Sequence, residues 1–415
     1  MATQTLTTAD AILKDLYVGP IVEQLNQKTY MLDRVQRDVD SLDHTGRRAI
    51  IPVHSGRNRG RGSVADGGTL PQAGYQSWQD AIVGIKYHLY GIQLTDMAIE
   101  ATKSNEGAFV SLLEAETKGV AQDMKKDINR QVYGTGDGLL ATAASAAAAV
   151  VTVDSVQYIQ IGDPVDLVVK SSGATSAGVV STSVTARDTT NKTVTLASAP
   201  ATPGSIDNTY GFYLAGSRNK EMDGLRNIVA SSRTLHSINS STAGNEFWNS
   251  SVVDVGSSAS ATALAGESVF EQLADNVGAT GNGEVETFIT TRGIRRRLAD
   301  QYQSQKRYND ASAVNVHGGY TAIMVNEIPV IADDDAPKQY VWGLNTGSFR
   351  WFQQAGPTWL ESKDGTVFQL QPNAAGTSAT YNAVWLAWFK WYAALGCVAP
   401  QRNGVLRYCT DDNPS

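Results

Sequence analysis

The sequence predicts an α+β protein, rich in strands, with one long helix before its middle. Ala81, Val83 and Ile85 recur at every second position, which is the apolar period of a strand. The stretch 105–133 instead repeats with the apolar period of a helix. In the last third, strands and helices follow one another without regular βαβ units. That pattern disfavours a doubly wound nucleotide-binding fold.

Length and composition limit the classes of function. The chain has 415 residues, enough for two or three domains, and its net charge of −7 argues against a dedicated high-affinity nucleic-acid binder. Its two cysteines, Cys397 and Cys409, have no metal-ligand or redox spacing, which fits synthesis in a reducing cytoplasm. The first residues lack the basic start and apolar core of a signal peptide, so secretion is not expected.

Residues 1–46 predict an arm with short helices. Thr8 is suited to capping a first helical run, and Gly19-Pro20 interrupts it. A second run, 21–35, has near-helical spacing but a diluted apolar face. The arm has too few apolar residues to fold alone, so we expect it to lie along another surface.

A two-stranded ribbon is predicted next. A short strand around Ile51 is followed by a glycine-rich loop and then by a strand from Asp80 to Thr95. That second strand would extend for about 50 Å at about 3.3 Å per residue. Because an isolated ribbon is only marginally stable, we expect another subunit to cover it.

The helix predicted over Asn105–Tyr133 is the strongest in the sequence, and Gly134 is suited to ending it. The following segment, 139–216, has only eight charged residues and several short β-rich runs separated by turn residues. It predicts a small all-β sandwich or barrel inserted into the rest of the chain. The serine-rich stretch 231–260 predicts a long surface connection.

The aromatic run 383–399 has the hydropathy of a membrane span but not its pattern. Lys390 lies near its middle, where a charge costs about 2.5–3.5 kcal/mol on insertion. Its aromatic residues also crowd the centre, whereas membrane helices place tryptophan and tyrosine at their ends. We therefore favour buried strands.

No motif of an enzyme, nucleotide or metal site is found in the sequence, and we expect no catalytic residue, cofactor or metal. His88 is predicted to face solvent or an interface. Asp333-Asp334-Asp335 lies at a strand end, where an acidic turn is a more ordinary explanation than a hard-cation site. The glycines of YGTGDG (133–138) follow a helix rather than a strand, so they predict a turn and not a dinucleotide site.

The strongest charge signal is a basic stretch without any acidic residue between Asp43 and Asp66. The planar guanidinium of arginine suits carboxylates and phosphates equally. Docking onto an acidic neighbouring subunit is the favoured hypothesis, and a solvated loop or a phosphate-backbone contact remain alternatives. The candidate docking residues are Arg47, Arg48, Arg57, Arg59 and Arg61.

The order of these parts resembles the major capsid proteins of tailed bacteriophages, whose fold is named for phage Hong Kong 97. In that family an arm precedes a long hairpin, the extended loop, which lies over the adjacent subunit, and a spine helix follows. YGTGDG and MDGLRNIV (222–229) resemble two nearby family segments, here separated by the β-rich stretch. NEIPVIADDDAP (326–337) resembles a strand and turn of the family's axial domain.

The resemblance implies the following segments: an N-terminal arm, 1–46; an extended hairpin loop, 47–92; a peripheral domain, 93–138 and 217–261, with the spine helix 105–133; an inserted β-rich domain, 139–216; an axial domain, 262–380; and a return strand to the peripheral domain with the C-terminus, 381–415. It also implies pentamers and hexamers that form an icosahedral virion capsid, assembled in the cytoplasm of the bacterial host.

The partners that this implies are other copies of the chain, a scaffolding protein, a portal and packaged double-stranded DNA in non-specific contact, with no membrane. One alternative is an encapsulin-type compartment shell, which has the same fold. An alternative from another class is a β-rich surface or glycan-binding protein, with the inserted domain as its binding module. An enzyme is the third, disfavoured by the lack of a convergent acid, base or nucleophile set.

Overall fold

The computed structural model describes residues 31, 35–38, 48–102, 112–175, 177–257, 265–281, 283–306, 323–362, 365–372 and 381–411. The predicted arm helices therefore lie almost wholly outside the described residues. Met31 and Val35 are the described apolar residues of the arm, and both are buried in the main core.

The strands are numbered here in chain order. They are β1 Gln36–Asp38, β2 Arg48–Gly56, β3 Ser77–Gly84, β4 Lys86–Thr95, β5 Leu139–Ala147, β6 Val150–Val153, β7 Pro164–Val169, β8 Val179–Asp188, β9 Thr193–Leu196, β10 Tyr210–Leu214, β11 Thr234–Leu235, β12 Ile238–Asn239, β13 Ser251–Asp254, β14 Thr287–Thr290, β15 Ile323–Val325, β16 Ile328–Ala332, β17 Val341–Leu344, β18 Phe349–Gln353, β19 Thr358–Trp359, β20 Gln369–Pro372, β21 Tyr381–Cys397 and β22 Gly404–Arg407. The helices are α1 Asp96–Thr102, α2 Leu112–Val132, α3 Leu225–Ile228, α4 Glu267–Gly281 and α5 Arg292–Lys306.

A first sheet is organised around the long strand β21. It has the order β1-β18-β21-β19, and β4 and β20 also pair with β21. The aromatic run at the C-terminal end of the sequence is thus a strand, as predicted, and it pairs with β4 from Val384↔Thr95 to Ala393↔Lys86. In the part of the chain that the structure describes, no helix combines the length and the apolar character needed to cross a membrane.

The predicted continuous strand from Asp80 to Thr95 is wrong. The chain is interrupted at Ile85: β3 pairs with β2 to form the ribbon, whereas β4 leaves the ribbon and joins β21. Ile85 is buried at this change of partner, beside Phe352 and Ala394. The ribbon therefore ends at Gly84, well short of residue 92.

Helix α2 lies across the first sheet. Met124, Ile128 and Val132 are buried on its inner face, which is part of the main core. The predicted start at Asn105 lies outside the described residues. At the other end, the N–H groups of Tyr133 and Gly134 bond back to the carbonyls of Arg130 and Gln131 at 3.1 and 3.0 Å, closing the last turn.

Residues 139–214 form a closed antiparallel barrel with the strand order β10-β5-β6-β9-β8-β7. Its interior is a separate apolar cluster that includes Val151, Leu167 and Phe212, all fully buried. The chain enters and leaves at one place, because β5 pairs with β10 and the Asn219 N–H donates to the carbonyl of Asp137 at 2.8 Å.

A second sheet has the order β13-β22-β17-β14-β16-β15 and carries α4 and α5. Its core includes Phe270 and Phe288, whose rings meet edge to face at 4.9 Å. The serine-rich stretch was predicted to be a surface connection; many of its described residues are exposed, but the stretch also has structure and buried residues of its own. It contains the hairpin β11–β12 and the fully buried Trp248. Burying the large indole of Trp248 stabilises this stretch in the core although most residues around it are polar.

Candidate functional site

The ribbon of β2 and β3, with the loop between them, exposes large apolar side chains. Tyr75 is 83% exposed, Leu70 is 80% exposed and Trp78 is 65% exposed. A folded monomer seldom leaves a tryptophan so open, and a group of such side chains marks a surface that another molecule covers. These residues were not predicted from the sequence, although aromatic residues beside a glycine-rich polar loop were a usable signal.

The two halves of the ribbon differ in burial. Near its base, Ala49, Ala81 and Val83 are buried, and Val83 and Ala49 pack with Phe352 of β18. Farther out, Trp78 stands beside His54 with ring centroids 4.9 Å apart, and the His54 Nε2 lies 2.6 Å from Gln76 Oε1. The body of the protein therefore supports the base, and the distal half projects from it.

The loop at the tip of the ribbon, 57–76, carries three of the five predicted docking arginines. Arg57, Arg59 and Arg61 are exposed, and none has an acidic partner among the described residues. The two sides of the loop approach each other closely at Gly60 and Gly74, since a Cβ on Gly60 would lie 2.4 Å from the backbone nitrogen of Gly74. Arg48 is exposed at the opposite end of the ribbon, so the structure does not bring it to the other three. Arg47 lies outside the described residues.

A second exposed apolar surface lies on the first sheet, on the face away from α2. Tyr87 and Leu89 of β4 are 63% and 50% exposed there. Tyr87 meets Tyr392 of β21 edge to face at 4.9 Å, and the Lys390 ammonium lies 5.6 Å from the Tyr392 ring centroid. This surface and the distal ribbon both carry large apolar side chains that are exposed in the single chain.

The opposite face of β4 meets α2 through a buried polar network. The Asp127 carboxylate accepts hydrogen bonds from Tyr90, from Arg130 Nε at 2.8 Å and from Gln131 Nε2 at 2.9 Å. Arg130 also binds the Glu221 carboxylate at 2.5 Å. Burial alone would raise the pKa of Asp127, but the charge of Arg130 and these hydrogen bonds lower it overall. The network ties the sheet, α2 and the segment after the barrel together.

His88 does not face solvent or an interface, so that prediction is wrong. It is buried between β4 and α2, and its Nε2 has no hydrogen-bond partner among the described residues. Burial lowers its pKa from 6.5 to about 4, against the opposing charge of Asp127. The alternation of apolar residues along β4 assigned His88 to the face that was expected to be exposed. In the structure, α2 packs against that face and makes it interior.

The acidic turn 333–335 is engaged by side chains of the chain itself. The Tyr133 hydroxyl donates to Asp333 at 2.9 Å, and Lys126 Nζ lies 2.7 Å from the Asp335 carboxylate. Arg292 Nε lies 2.6 Å from Asp334. Across the described ranges, no group of three or more His, Cys, Asp or Glu side chains is arranged to hold a metal ion. What these carboxylates do is connect α2, α5 and the second sheet.

No protein-family model matches the sequence, and no curated protein matches it. A chain of the cyanophage A-1(L) capsid has a similar structure, with a TM-score of 0.56 and 12% identity over 98% of this chain and 100% of that chain. A Mycobacterium phage Bobi chain follows, with a TM-score of 0.49 and 10% identity over 98% and 99% of the two chains.

A chain of the Synechococcus elongatus SrpI encapsulin complex has a TM-score of 0.45 and 9% identity over 100% and 99% of the two chains. Because their TM-scores are below 0.5, the encapsulin chain and the Bobi chain add nothing to the assignment of the fold. The cyanophage chain confirms the predicted fold class: this protein has the fold of a phage capsid chain.

Proposed function

We propose that the chain is the major capsid protein of a tailed bacteriophage and assembles with copies of itself into pentamers and hexamers of an icosahedral head. One observation carries the proposal: a ribbon with a supported base and an open aromatic distal half, on a fold shared with a cyanophage capsid chain. The role is structural rather than catalytic. The head encloses double-stranded DNA, and assembly in the host cytoplasm uses a scaffolding protein and a portal.

In this proposal, assembly covers the apolar surfaces that the single chain leaves open. The distal ribbon of one subunit lies over the outer face of the first sheet in its neighbour, where Tyr87 and Leu89 are exposed. Burying one large apolar side chain contributes about 1.5–3 kcal/mol. A contact of three or four such residues is weak alone, but closure of the shell makes each subunit bind several neighbours at once.

The arginines at the tip of the ribbon would contribute orientation more than affinity. Arg57, Arg59 and Arg61 have no acidic partner in the described part of their own chain, so an acidic neighbouring surface can accept them. Charge complementarity of this kind suppresses wrong contacts and speeds association.

The barrel at 139–214 is proposed to be an inserted domain that decorates or stabilises the outside of the subunit. Two features support this proposal: a separate core, and entry and exit strands that pair with each other. The remaining segments predicted from the resemblance, including the peripheral domain, the axial domain and the return strand, are proposed with it.

Light scattering and negative-stain electron microscopy test the proposed function. The full chain, alone and co-expressed with a scaffolding protein, should form shells or rings with masses far above 44.4 kDa. A variant carrying Tyr75→Ser and Trp78→Ser should stay folded, because both side chains are already exposed in the single chain. It should fail to assemble, because it lacks the apolar side chains that the proposed contact buries. A wild-type chain that remains monomeric under every condition would refute the proposal, and shells filled with protein cargo instead of DNA would favour an encapsulin-type compartment.

A further inference from the structure

The hairpin β11–β12 is tightly held although its turn is strained. The two turn residues, His236 and Ser237, have φ values of 50° and 69°, in the left-handed region. Two-residue turns of this kind favour Asn-Gly, and a non-glycine residue held there costs about 1–3 kcal/mol. Leu235 and Ile238 are buried on either side, and Trp248 Nε1 donates to the Leu235 carbonyl at 3.1 Å.

His236 connects this hairpin to two other parts of the molecule. Its carbonyl accepts the N–H of Ile82, in the base of the ribbon, at 2.8 Å. Its Nε2 accepts the N–H of Cys397, the last residue of β21, at 3.2 Å. The ring is buried, and burial lowers its pKa to about 4, so it stays neutral and can accept this hydrogen bond. The ring and the main-chain carbonyl of His236 therefore join the first sheet to the ribbon.

A second link lies farther along the same edge of the ribbon. Gln79 Nε2 donates to Asn245 Oδ1 at 2.8 Å, and Asn245 Nδ2 donates to the carbonyl of Asn239 in β12 at 3.0 Å. Both links reach β3 from one side, at Gln79 and Ile82, and the ribbon extends outward to Ser77 and the loop. The hairpin is thus linked to β3 at two positions, Gln79 and Ile82, near the base of the ribbon.

We propose that the β11–β12 hairpin fixes the direction in which the ribbon leaves the body, with His236 as the positioning residue. The ribbon is a lever of about 30 Å, because its nine-residue strand rises about 3.3 Å per residue. A rotation of about 10° at its base moves the tip by roughly 5 Å, a whole strand spacing. The strained turn brings the His236 carbonyl to β3 and the His236 ring to β21. The consequence for shell geometry rests on the proposed function, and the geometric claim does not.

A distance measurement between spin labels tests the geometric claim on the unassembled chain. The substitutions Ser77→Cys, at the far end of β3, and Gln272→Cys, on α4, place the labels at exposed positions. Cys397 and Cys409 are buried and should not react. In the wild-type background we expect one narrow distance distribution.

The variant His236→Phe keeps a buried ring but removes the acceptor for Cys397. It should broaden the distribution and displace its mean by roughly 4 Å, because Ser77 lies seven residues, about 23 Å, from the base of β3 at Gly84. Ser237→Gly is the matched control: it relieves strain in the same turn and leaves both His236 contacts in place, so the distribution should not change. Gln79→Ala removes the second link at the ribbon without touching the core, and it should broaden the distribution even if His236→Phe does not fold.

An unchanged distribution in a folded His236→Phe chain, or in Gln79→Ala if the first variant does not fold, overturns the positioning role. For assembly, His236→Phe should give open sheets or shells of mixed size where the wild type gives one size. If the wild type forms no shells, the proposed function fails, but the distance measurement still decides the role of the hairpin.

Discussion

Replacing His88 should remove part of the acid sensitivity of this protein. In the folded state burial lowers the pKa of His88 to about 4, whereas an unfolded histidine has a pKa of 6.5. Between these values the unfolded chain binds more protons than the folded one, so stability falls as the pH drops through this window and levels off below the folded pKa. From about pH 7.5 to about pH 5, the loss attributable to His88 is roughly 2 kcal/mol.

The variant His88→Leu isolates this contribution. At neutral pH its stability should be close to that of the wild type, because removing a buried Nε2 that has no partner among the described residues offsets the loss of the hydrogen bond between the His88 ring and the Ala393 backbone. Between about pH 7.5 and about pH 5 it should lose roughly 2 kcal/mol less stability than the wild type. Some acid sensitivity should remain, because burial also lowers the pKa of His236 to about 4.

Urea unfolding of the unassembled chain, followed by tryptophan fluorescence at both pH values, measures the difference. All eight tryptophans lie outside the barrel segment 139–216, so the signal reports on the part of the chain that contains His88. His54→Leu, on the exposed ribbon, is the matched control for the loss of an imidazole outside the core. The reasoning is refuted if His88→Leu and the wild type lose the same stability on acidification.

Three further predictions concern the ribbon, the buried network and the barrel. Replacing Arg57, Arg59 and Arg61 by glutamate should leave the melting temperature of the monomer unchanged but impair shell closure, as seen by electron microscopy. Replacing the same three residues by lysine should still allow shells to assemble. Arg130→Met should cost about 3–5 kcal/mol in urea unfolding, because it leaves the buried Glu221 and the half-buried Asp127 without their cation; wild-type stability would contradict this. Replacing 139–214 by a short Gly/Ser linker should preserve the tryptophan fluorescence spectrum, and the excised barrel should melt cooperatively with a β-type circular dichroism spectrum; an unfolded excised piece would show that the barrel depends on the body.

The sequence was informative where one element determines its own pattern. The period of α2, the turns around the barrel strands and the central Lys390 of β21 could all be assigned from local residues. The partner of a strand is not encoded in its alternation, which runs through Ile85 unchanged while the pairing switches from β2 to β21. That is why the ribbon was predicted too long.

The same limit applies to the candidate site. His88 was assigned to solvent because its own strand looks apolar on the other face, and only the position of Asp127 and Arg130 on α2 shows that its face is interior. The positioning role of His236 depends on two left-handed residues and on contacts from Ile82 and Cys397, far away in the chain. No local pattern in a serine-rich stretch indicates such contacts.

The closed barrel has a consequence for crowding. In the proposed shell, many copies of a domain on the outside of the subunit would stand a short distance apart, and a domain with an open sheet edge would offer each neighbour unpaired N–H and C=O groups. Here β10 pairs with both β5 and β7, and the strand circuit has no terminal strand. Neighbouring barrels can therefore stand side by side without exchanging strands. The proposed shell would therefore keep its barrels separate at high local density, and a foreign peptide placed in a barrel turn would be displayed at the same regular spacing.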